Sequence, residues 1–519
     1  MGDFDRAGLE RALDLLPQRL KGPGGVAGVV KDGVVVARRA WGHASMERRL
    51  AMGPETRLPI CSISKQFTVA ALLDQVEDMA DLDPFLAEYL PQYRDGLPKV
   101  RHLADMQSGL RDYWALTVLQ GAFPEQEFRR SDALPMIAAT RTGHFAAGTS
   151  YSYSNGNFRL LGALVERAAG RSLGEVLAER VFGPAGMATA ALLPDTRRNA
   201  DGVMGYEGND SMGFLPARNG IWWEGDAGVS ASLEDMLAWE VFIDRTREDP
   251  AGMYNRLSAA PRFGDGAPAP YGLGLSHAVV AGRATTGHGG AIRGFRCHRR
   301  HVAGERLSVV VMLNHEADAH GATLGLIEAA LGWTEEGKAV SPAGWPGLGL
   351  WLDEGDGLAL RVLPEGEEIV LHYGTTPTRL RLGADGVARA RGLSLARRGD
   401  ALEMRREDEN RVILARTLTP LARVAPDIAG RYWSEELQAW MEIGTRDGAA
   451  WAAFDGVLGR GPVERVYPLA EDIWQMPTRR SMDASPPGDW TLRLQREGGR
   501  VTGLTIGCWL ARRIAFERV

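Results

Sequence analysis

The spacing of apolar residues predicts an N-terminal helix followed by a β-hairpin. The apolar residues at helical spacing near the N-terminus are Phe4, Leu9, Leu13 and Leu16. They form one apolar face, and Pro17 together with Gly22-Pro23 is expected to end this helix. Two apolar runs, 25–30 and 34–41, then flank Lys31-Asp32-Gly33. Asp-Gly is a favoured tight turn between antiparallel strands, so these runs are predicted to pair.

The middle of the chain changes from a helical pattern to a strand pattern. The run from Phe67 to Leu73 is too apolar to face water and predicts a buried helix that begins near Ser62. Helical spacing continues to about residue 200, strand patterns return between 271 and 314, and a last helix is predicted over 320–331. The simplest arrangement of these elements is an antiparallel sheet that a helical insertion divides.

The last third of the chain has short alternating strands separated by Asp-Gly turns. A stretch of linker composition, 333–345, precedes it and follows a first domain over 1–332. Each of the two stretches 346–420 and 421–519 has room for eight strands of about ten residues, which predicts two small antiparallel eight-stranded barrels. Small barrels of this kind often serve only to stabilise or dimerise a protein, and we predict this role for the first barrel.

One connection in the second barrel is longer than a hairpin needs. Strand character stops after Gln475 and resumes at Trp490, with a loop near 476–488 between them. Hairpin loops usually have ~2–5 residues, and long loops more often carry function. This loop is therefore a candidate part of the functional site.

Composition limits the classes of function. The 519 residues are 45% hydrophobic, and at ~100–200 residues per domain they predict two to four globular domains. A net charge of −6 and a pI near 6.0 argue against a nucleic-acid binder. Acidic residues at the N-terminus and the absence of a ~20-residue apolar stretch argue against a signal peptide or a membrane span, so a cytoplasmic location is expected.

Cysteine spacing gives no framework for a disulfide or for zinc. The three cysteines are Cys61, Cys297 and Cys508. They are odd in number and far apart, so neither a disulfide scaffold nor a metal site is predicted, and no cofactor is expected. Cys61 is interpreted as core packing.

A serine and a lysine three positions apart form the strongest chemical signal. The chain has five lysines, and one of them ends the string Ser62-Ile63-Ser64-Lys65. Three residues are nearly one helical turn, so the hydroxyl and the amine share a helix face. A desolvated Lys65 amine can accept the Ser62 proton, and a helix N-terminus stabilises the resulting negative charge. The alternative is a helix-capping serine followed by a lysine that extends into solvent.

Two further strings complete a pattern. Tyr153-Ser154-Asn155 lies in the helical part and Gly287-His288-Gly289-Gly290 in a predicted strand. Together with Ser62-x-x-Lys65, they make the chain resemble the penicillin-recognising serine hydrolases, which include class C β-lactamases, D-alanyl-D-alanine carboxypeptidases, esterases and D-aminopeptidases. The resemblance implies an α+β β-lactamase-like domain, with an antiparallel sheet flanked by helices and a helical subdomain, and acyl transfer through Ser62.

The resemblance assigns a role to each matched residue. Tyr153 would pass the proton to the leaving group if Lys65 keeps the phenol pKa low, and its alternative is a loop aromatic. Asn155 would orient Lys65 or the substrate, or else lie in a turn. His288 would donate to the catalytic hydroxyl network or the substrate, although a lone histidine is often structural. The backbone N–H groups of Ser62 and Ala291 would form the oxyanion hole.

Departures from the lactamase pattern narrow the substrate. Relatives carry either Lys-Thr-Gly or His-x-Gly at this element, and in the former the lysine and threonine meet the substrate's carboxylate. This chain has His288 and Gly289 there, so recognition of a substrate carboxylate should be poor. The three-domain organisation, the string 107–114 and the segment around Asp483 resemble the D-stereospecific aminopeptidases of the family. Carried over, this likeness implies that Asp483 meets the substrate's free ammonium, and that a loop from Arg480 to Gly488 caps the cleft. The residues predicted to bind substrate are Arg480, Ser481, Met482 and Asp483.

These expectations combine into one predicted activity. The enzyme is expected to remove N-terminal D-amino acids, D-alanine above all, from peptides, amides and esters, with no metal and no nucleic-acid partner. An esterase or weak β-lactam hydrolase of the same family is one alternative, and a non-catalytic peptide-binding receptor is another. A homodimer is expected only by likeness to the family.

Overall fold

The computed structural model of the protein describes residues 4–334, 340–421, 426–484 and 486–519. Residues 335–339 of the predicted linker 333–345 and residue 485 of the predicted loop 480–488 lie outside these ranges. None of the helices in the described ranges is long and apolar enough to cross a membrane.

The α-helices of the described ranges lie within the first 334 residues. The α-helices are α1 (Arg6–Asp14), α2 (Leu16–Arg19), α3 (Ser64–Gln75), α4 (Leu86–Tyr89), α5 (Val100–Ala104), α6 (Tyr113–Leu119), α7 (Arg130–Ala138), α8 (Asn155–Ala169), α9 (Leu173–Leu177), α10 (Gly183–Ala185), α11 (Leu233–Arg245), α12 (Met253–Leu257) and α13 (Ala319–Ala330). Pro17 does not end the first helix as predicted. It lies in the first turn of α2, where a missing N–H costs nothing.

Short 3₁₀ and π segments connect several of these helices and strands. They are Cys61–Ile63, Met79–Phe85, Ala178–Phe182, Ala200–Gly202, Ala303–Glu305, Glu407–Glu409 and Pro426–Ile428. The first of them leads directly into α3 and holds Ser62.

An antiparallel sheet forms the frame of the first domain. The strands of this part are β1 (Gly24–Lys31), β2 (Val34–Ser45), β3 (Leu50–Ala51), β4 (Leu58–Pro59), β5 (Ala191–Leu192), β6 (Tyr206–Asn209), β7 (Gly213–Pro216), β8 (Val229–Ala231), β9 (Tyr271–Gly272), β10 (Leu275–Val280), β11 (Arg283–Ile292), β12 (Phe295–Val302) and β13 (Leu307–Leu313). The main sheet has the order β3-β2-β1-β13-β12-β11-β10-β9.

The chain leaves this sheet after β3 and returns at β9, so the helical subdomain is an insertion, as the sequence predicts. Helices α1 and α13 pack on one face of the sheet, and α11 packs against β1 on the other. Both faces are therefore covered, which explains why β1 and β13 are apolar almost throughout. Strand β11 comes to lie next to the turn that holds Ser62.

The C-terminal third forms two closed barrels, which confirms that prediction. The first consists of β14 (Gly349–Asp353), β15 (Leu358–Glu365), β16 (Glu368–His372), β17 (Thr378–Leu382), β18 (Ala388–Ala390), β19 (Leu393–Arg398), β20 (Ala401–Arg406) and β21 (Arg411–Thr417). The second consists of β22 (Gly430–Ser434), β23 (Ala439–Arg446), β24 (Ala449–Gly456), β25 (Gly459–Arg460), β26 (Glu464–Ala470), β27 (Ile473–Pro477), β28 (Asp489–Glu497), β29 (Arg500–Cys508) and β30 (Ala511–Arg518). Pairing of β23 with β24 closes the second barrel, and β25 is an addition to β24.

The second barrel is joined to the helical subdomain by a shared apolar core. Side chains of α6, including Leu116 and Leu119, pack with the interior residues of the second barrel. Buried Arg111 strengthens the joint, because its Nε donates to the Arg512 carbonyl at 2.9 Å and its Nη1 lies 2.7 Å from Glu436 Oε1. The second barrel is thus held in a fixed position beside the insertion.

Candidate active site

A cavity of about 670 Å³ brings the predicted site residues together. Those that line it are Ser62, Tyr153, Asn155, His288, Ala291 and Asp483. A larger cleft of about 1300 Å³ lies between the sheet and the first barrel, and its lining contains none of these residues. The smaller cavity is therefore the candidate active site.

The backbone around Ser62 is constrained by close packing. Cys61 has φ +52°, a conformation that is unfavourable for a residue with a side chain and recurs at functional sites. A Cβ on Gly290 would lie 2.1 Å from the Ile60 carbonyl oxygen, so only glycine allows β11 to approach this turn. The sequence pattern singled out Gly290 as part of a motif but gave it no role.

Lys65 is buried, and three oxygen atoms lie within hydrogen-bond distance of its Nζ. Its side chain is 0% exposed, and Nζ lies 3.0 Å from Ser62 Oγ, 2.8 Å from Asn155 Oδ1 and 2.7 Å from the Asp226 carbonyl oxygen. Because a neutral amine has two N–H donors and one lone pair, donation to Asn155 and Asp226 leaves the lone pair facing Ser62. This burial rules out the alternative in which Lys65 extends into solvent.

Burial also prepares Lys65 to act as a base. It lowers the pKa of the Lys65 ammonium to about 8, against opposing effects of Asp226, Asp112 and Asp483. A substantial fraction of the amine is thus neutral near pH 8. Asp226 was not predicted, because its contribution is a backbone carbonyl that any residue type carries.

Tyr153 lies beside the same pair. Its hydroxyl lies close enough to Ser62 for that side chain to lower the phenol pKa, and its ring centroid is 5.0 Å from Lys65 Nζ. The expectation that Lys65 keeps the phenol pKa low is wrong, since burial raises the pKa of Tyr153 well above its usual range. Tyr153 is therefore a neutral phenol, which can donate and accept a proton but does not begin as a phenolate.

His288 lies in the cavity with both ring nitrogens occupied. Its Nδ1 donates to the Gly289 carbonyl oxygen, so Nε2 accepts from the Tyr271 hydroxyl at 2.9 Å. Burial lowers the pKa of His288 to about 3, which keeps the ring neutral. The predicted donation to the hydroxyl network is not among these contacts, and Tyr271, which no motif indicated, links the ring to the cavity wall.

The two predicted oxyanion donors lie on opposite elements that meet at the cavity. Ser62 belongs to the 3₁₀ turn before α3, and Ala291 lies in β11 opposite Arg296 of β12. Both residues line the cavity, and Gly290 next to Ala291 makes the close approach to this turn.

The connection between β27 and β28 carries Asp483 into the cavity. Burial raises the pKa of the Asp483 carboxyl to about 6, while a 2.7 Å hydrogen bond from the Ala484 N–H to Oδ1 opposes this effect. Ser481 Oγ donates to the Asp483 carbonyl oxygen at 3.0 Å, and the Ser481 carbonyl oxygen accepts from Arg293. These contacts fix the tip of the loop.

The other predicted substrate contacts hold the loop and do not line the cavity. Arg480 Nε lies 2.6 Å from Glu125 Oε1, and Nη1 lies 2.7 Å from Glu207 Oε1. Met482 is 2% exposed and packs into the core of the first domain. The placement of Arg480, Ser481 and Met482 thus corrects their predicted role, because their side chains anchor the loop and leave Asp483 facing the cavity.

Known proteins match the whole chain. Family models described as "Beta-lactamase" and "D-aminopeptidase, domain B" match residues 9–332 and 339–517. A D-aminopeptidase of Cereibacter sphaeroides strain KD131 is 57% identical over 518 residues, which is 99% of this chain and 100% of the relative. A D-aminopeptidase of Brucella melitensis biotype 2 is 48% identical over 523 residues, or 100% of both chains.

Solved structures support the fold. The octameric penicillin-binding protein homologue from Pyrococcus abyssi superimposes with a TM-score of 0.53 at 18% identity, covering 88% of this chain and 99% of its own. With the catalytic pattern, the two domain matches and the full-length similarity in agreement, this chain belongs to the D-aminopeptidase family, within the wider group of β-lactamase-like proteins.

Proposed function

We propose that this protein is a serine hydrolase that removes N-terminal D-amino acids, with D-alanine favoured, from peptides, amides and esters. The observation that carries the proposal is that Ser62, bonded to buried Lys65, shares one cavity with Asp483. A nucleophile, its base and an anionic contact for an ammonium are thereby within reach of one small substrate. The preference for the D-form and for alanine rests on the family to which the chain belongs.

Acylation follows from the contacts of Lys65. The neutral amine takes the Ser62 proton along the 3.0 Å hydrogen bond while Oγ attacks the scissile carbonyl carbon. The backbone N–H groups of Ser62 and Ala291 stabilise the oxyanion. Tyr153, a neutral phenol beside Ser62, donates its own hydroxyl proton to the leaving amine or alcohol, and the proton that Lys65 took from Ser62 then restores the phenol. Water then hydrolyses the acyl-enzyme by the same groups acting in reverse.

Selectivity for a free N-terminus follows from Asp483. An ammonium paired with this half-buried carboxylate makes charge-assisted hydrogen bonds, whereas an N-acylated terminus offers no charge and adds bulk against the loop. An esterase or weak β-lactam hydrolase would use the same Ser62 chemistry but has no use for Asp483. A peptide-binding receptor has no use for the Lys65 lone pair.

A kinetic panel tests this function. D-alanine and L-alanine p-nitroanilides, each free and N-acetylated, are compared with the wild-type protein and with Ser62→Ala. Turnover should be confined to the free D-substrate and fall by about 10³-fold or more in Ser62→Ala, as removal of a nucleophile does. Equal rates for free and acetylated substrates would support an esterase, and absence of both turnover and a Ser62 adduct would support a receptor.

The cellular setting is part of the proposal. The three cysteines are free and buried, which suits a reducing compartment and supports the cytoplasm. The partners proposed are small substrates and a second copy of the chain in a homodimer, with no nucleic acid. Light scattering on the purified protein measures the assembly directly, and a mass other than twice 56.4 kDa would contradict the dimer.

A further inference from the structure

Asp112 is a second carboxylate of the catalytic cavity. It directly precedes α6 in the string 107–114, and its side chain is 1% exposed. It lines the same cavity as Ser62 and Asp483. Neither the predicted mechanism nor the resemblance to relatives gives this residue a task.

The two oxygens of Asp112 have different surroundings. Oδ1 accepts a hydrogen bond of 2.7 Å from the Asn155 backbone N–H. The Asn155 side chain also lies near enough to lower the pKa of the carboxyl. Within the described ranges, however, no donor makes a hydrogen bond to the buried Oδ2. A buried carboxylate oxygen without a donor is costly, by about 1–3 kcal/mol or more, so its persistence indicates a ligand that supplies the donor.

The charges that face Asp112 indicate the sign of this ligand. Asp483 raises the pKa of Asp112, which burial has already brought up, to about 7. Lys65 lowers the pKa of both carboxyls. The hydrogen bonds of its Nζ, however, are with Ser62, Asn155 and Asp226 rather than with either carboxyl. A carboxylate whose charge is disfavoured by a second carboxylate in the same cavity favours a cation there.

We propose that Asp112 Oδ2 and Asp483 together hold the substrate's N-terminal ammonium. This inference rests on the proposed function and specifies how the site recognises its substrate. An ammonium has three N–H donors, so it can bond to both carboxylates at once, and a primary amine is selected. Asn155 joins this ammonium site to the base, since its N–H donates to Asp112 and its Oδ1 accepts from Lys65.

The test uses Asp112→Asn in the full chain. This substitution retains an oxygen to accept from the Asn155 N–H but removes the charge. For D-alanine p-nitroanilide, KM should rise about 10- to 100-fold with kcat changed far less, as the loss of a hydrogen bond to a charged group predicts. Asp105→Asn is the matched control, because Asp105 is also buried in the helical subdomain but does not line the cavity.

A binding measurement separates this inference from the proposed function. Calorimetry with D-alanine amide is carried out on Ser62→Ala, with and without Asp112→Asn, so it does not depend on turnover. A loss of affinity of about tenfold or more supports the ammonium site even if the wild-type protein proves inactive. Equal affinities with and without Asp112→Asn would overturn the proposal. In the kinetic experiment, a fall in kcat at constant KM would also overturn it, because Asp112 would then act only through Asn155. Asp112→Ser, judged by the same outcomes, replaces Asp112→Asn if that variant does not fold.

Discussion

The two C-terminal barrels have the same strand number and closure but meet the active site differently. The first barrel contributes Thr375, from the short turn between β16 and β17, to the cavity lining. The second contributes Asp483 from residues 478–488, and also Trp509 and Leu510 from the turn between β29 and β30. Strand number and closure therefore do not decide a barrel's part in the site; its connections do, above all the long one that carries Asp483.

The first barrel supports the loop that the second one provides. A Cβ on Gly488, at the base of the loop, would lie 2.8 Å from the Gly374 carbonyl oxygen of the first barrel. At the adjacent residue, Asp489 at the start of β28, Oδ2 lies 2.8 Å from Nη2 of Arg361 in the first barrel. One barrel presents Asp483 to the cavity, and the other contacts the base of the loop from which Asp483 extends.

Removing the loop should have the largest effect. Replacement of Arg480–Gly488 by a short Gly-Ser linker removes Asp483 and opens the cavity, so kcat/KM for D-alanine p-nitroanilide should fall about 100-fold or more. Hydrolysis of the N-acetylated substrate should become measurable for the same reason. The measurement is steady-state kinetics with both substrates, and a Gly-Ser insertion in the exposed Gly399-Asp400 turn of the first barrel is the control. Unchanged selectivity in the loop variant would remove the distinction between the barrels.

Asp483→Asn should retain the loop but lose most of the preference for a free amine. We expect KM for D-alanine p-nitroanilide to rise about 10- to 100-fold, because an ammonium loses one charged acceptor. Since the pKa of Asp483 is raised to about 6, the wild-type KM should increase as the pH falls through 6 and the carboxylate is protonated. The variant should lack this step near pH 6, while protonation of Asp112, whose pKa is raised to about 7, should still raise its KM at a higher pH. Asp385→Asn, an exposed carboxylate of the first barrel, should behave as wild type at every pH.

The stability of Asp483→Asn provides a check on this interpretation. A carboxyl with a raised folded-state pKa binds its proton more tightly in the folded protein, so folding loses stability as the pH rises from about 4 to 6. Removing the charge should therefore leave the protein at least as stable as wild type at pH 8. Urea unfolding at pH 5 and pH 8 measures this, and a large loss of stability would attribute the kinetic effect to unfolding.

Gly488→Ala should have the smallest effect of the three loop variants. Its φ of +87° makes a side chain unfavourable by roughly 1–2 kcal/mol, and the contact with Gly374 adds to this. We expect a lower unfolding free energy and a several-fold loss of activity. Gly386→Ala in the first barrel has φ +77° but nothing within 4 Å, so it isolates the backbone effect. If both variants lose activity equally, the contact between Gly488 and Gly374 of the first barrel does not contribute to the active site.

The fold was largely predictable because its signals are local and repeated. Alternating strands with tight turns predicted both barrels, and the change from strand to helical spacing and back predicted the divided sheet. The Ser62–Lys65 contact was predictable because both residues lie within one helical turn. The predicted domain boundaries remain predictions.

The contacts that were not predicted join distant segments through groups without a sequence signal. The Asp226 carbonyl and the Asp112–Asn155 hydrogen bond depend on how loops pack, and no spacing rule connects residues 112 and 155. Arg480 is three residues from Asp483, and local sequence did not reveal that one faces Glu207 and the other the cavity. A residue's distance from the sequence motifs therefore did not predict whether its side chain lines the cavity.

The position of Asp483 late in the chain has a consequence for biosynthesis. A ribosome finishes the segment with Ser62, Lys65, Tyr153 and His288 long before it reaches residue 483. The groups proposed to carry out hydrolysis therefore leave the exit tunnel ahead of the carboxylate proposed to select the substrate. The second barrel must therefore fold and dock against α6 before Asp483 lines the cavity, so under the proposed function the substrate selectivity is complete only when the whole chain is made.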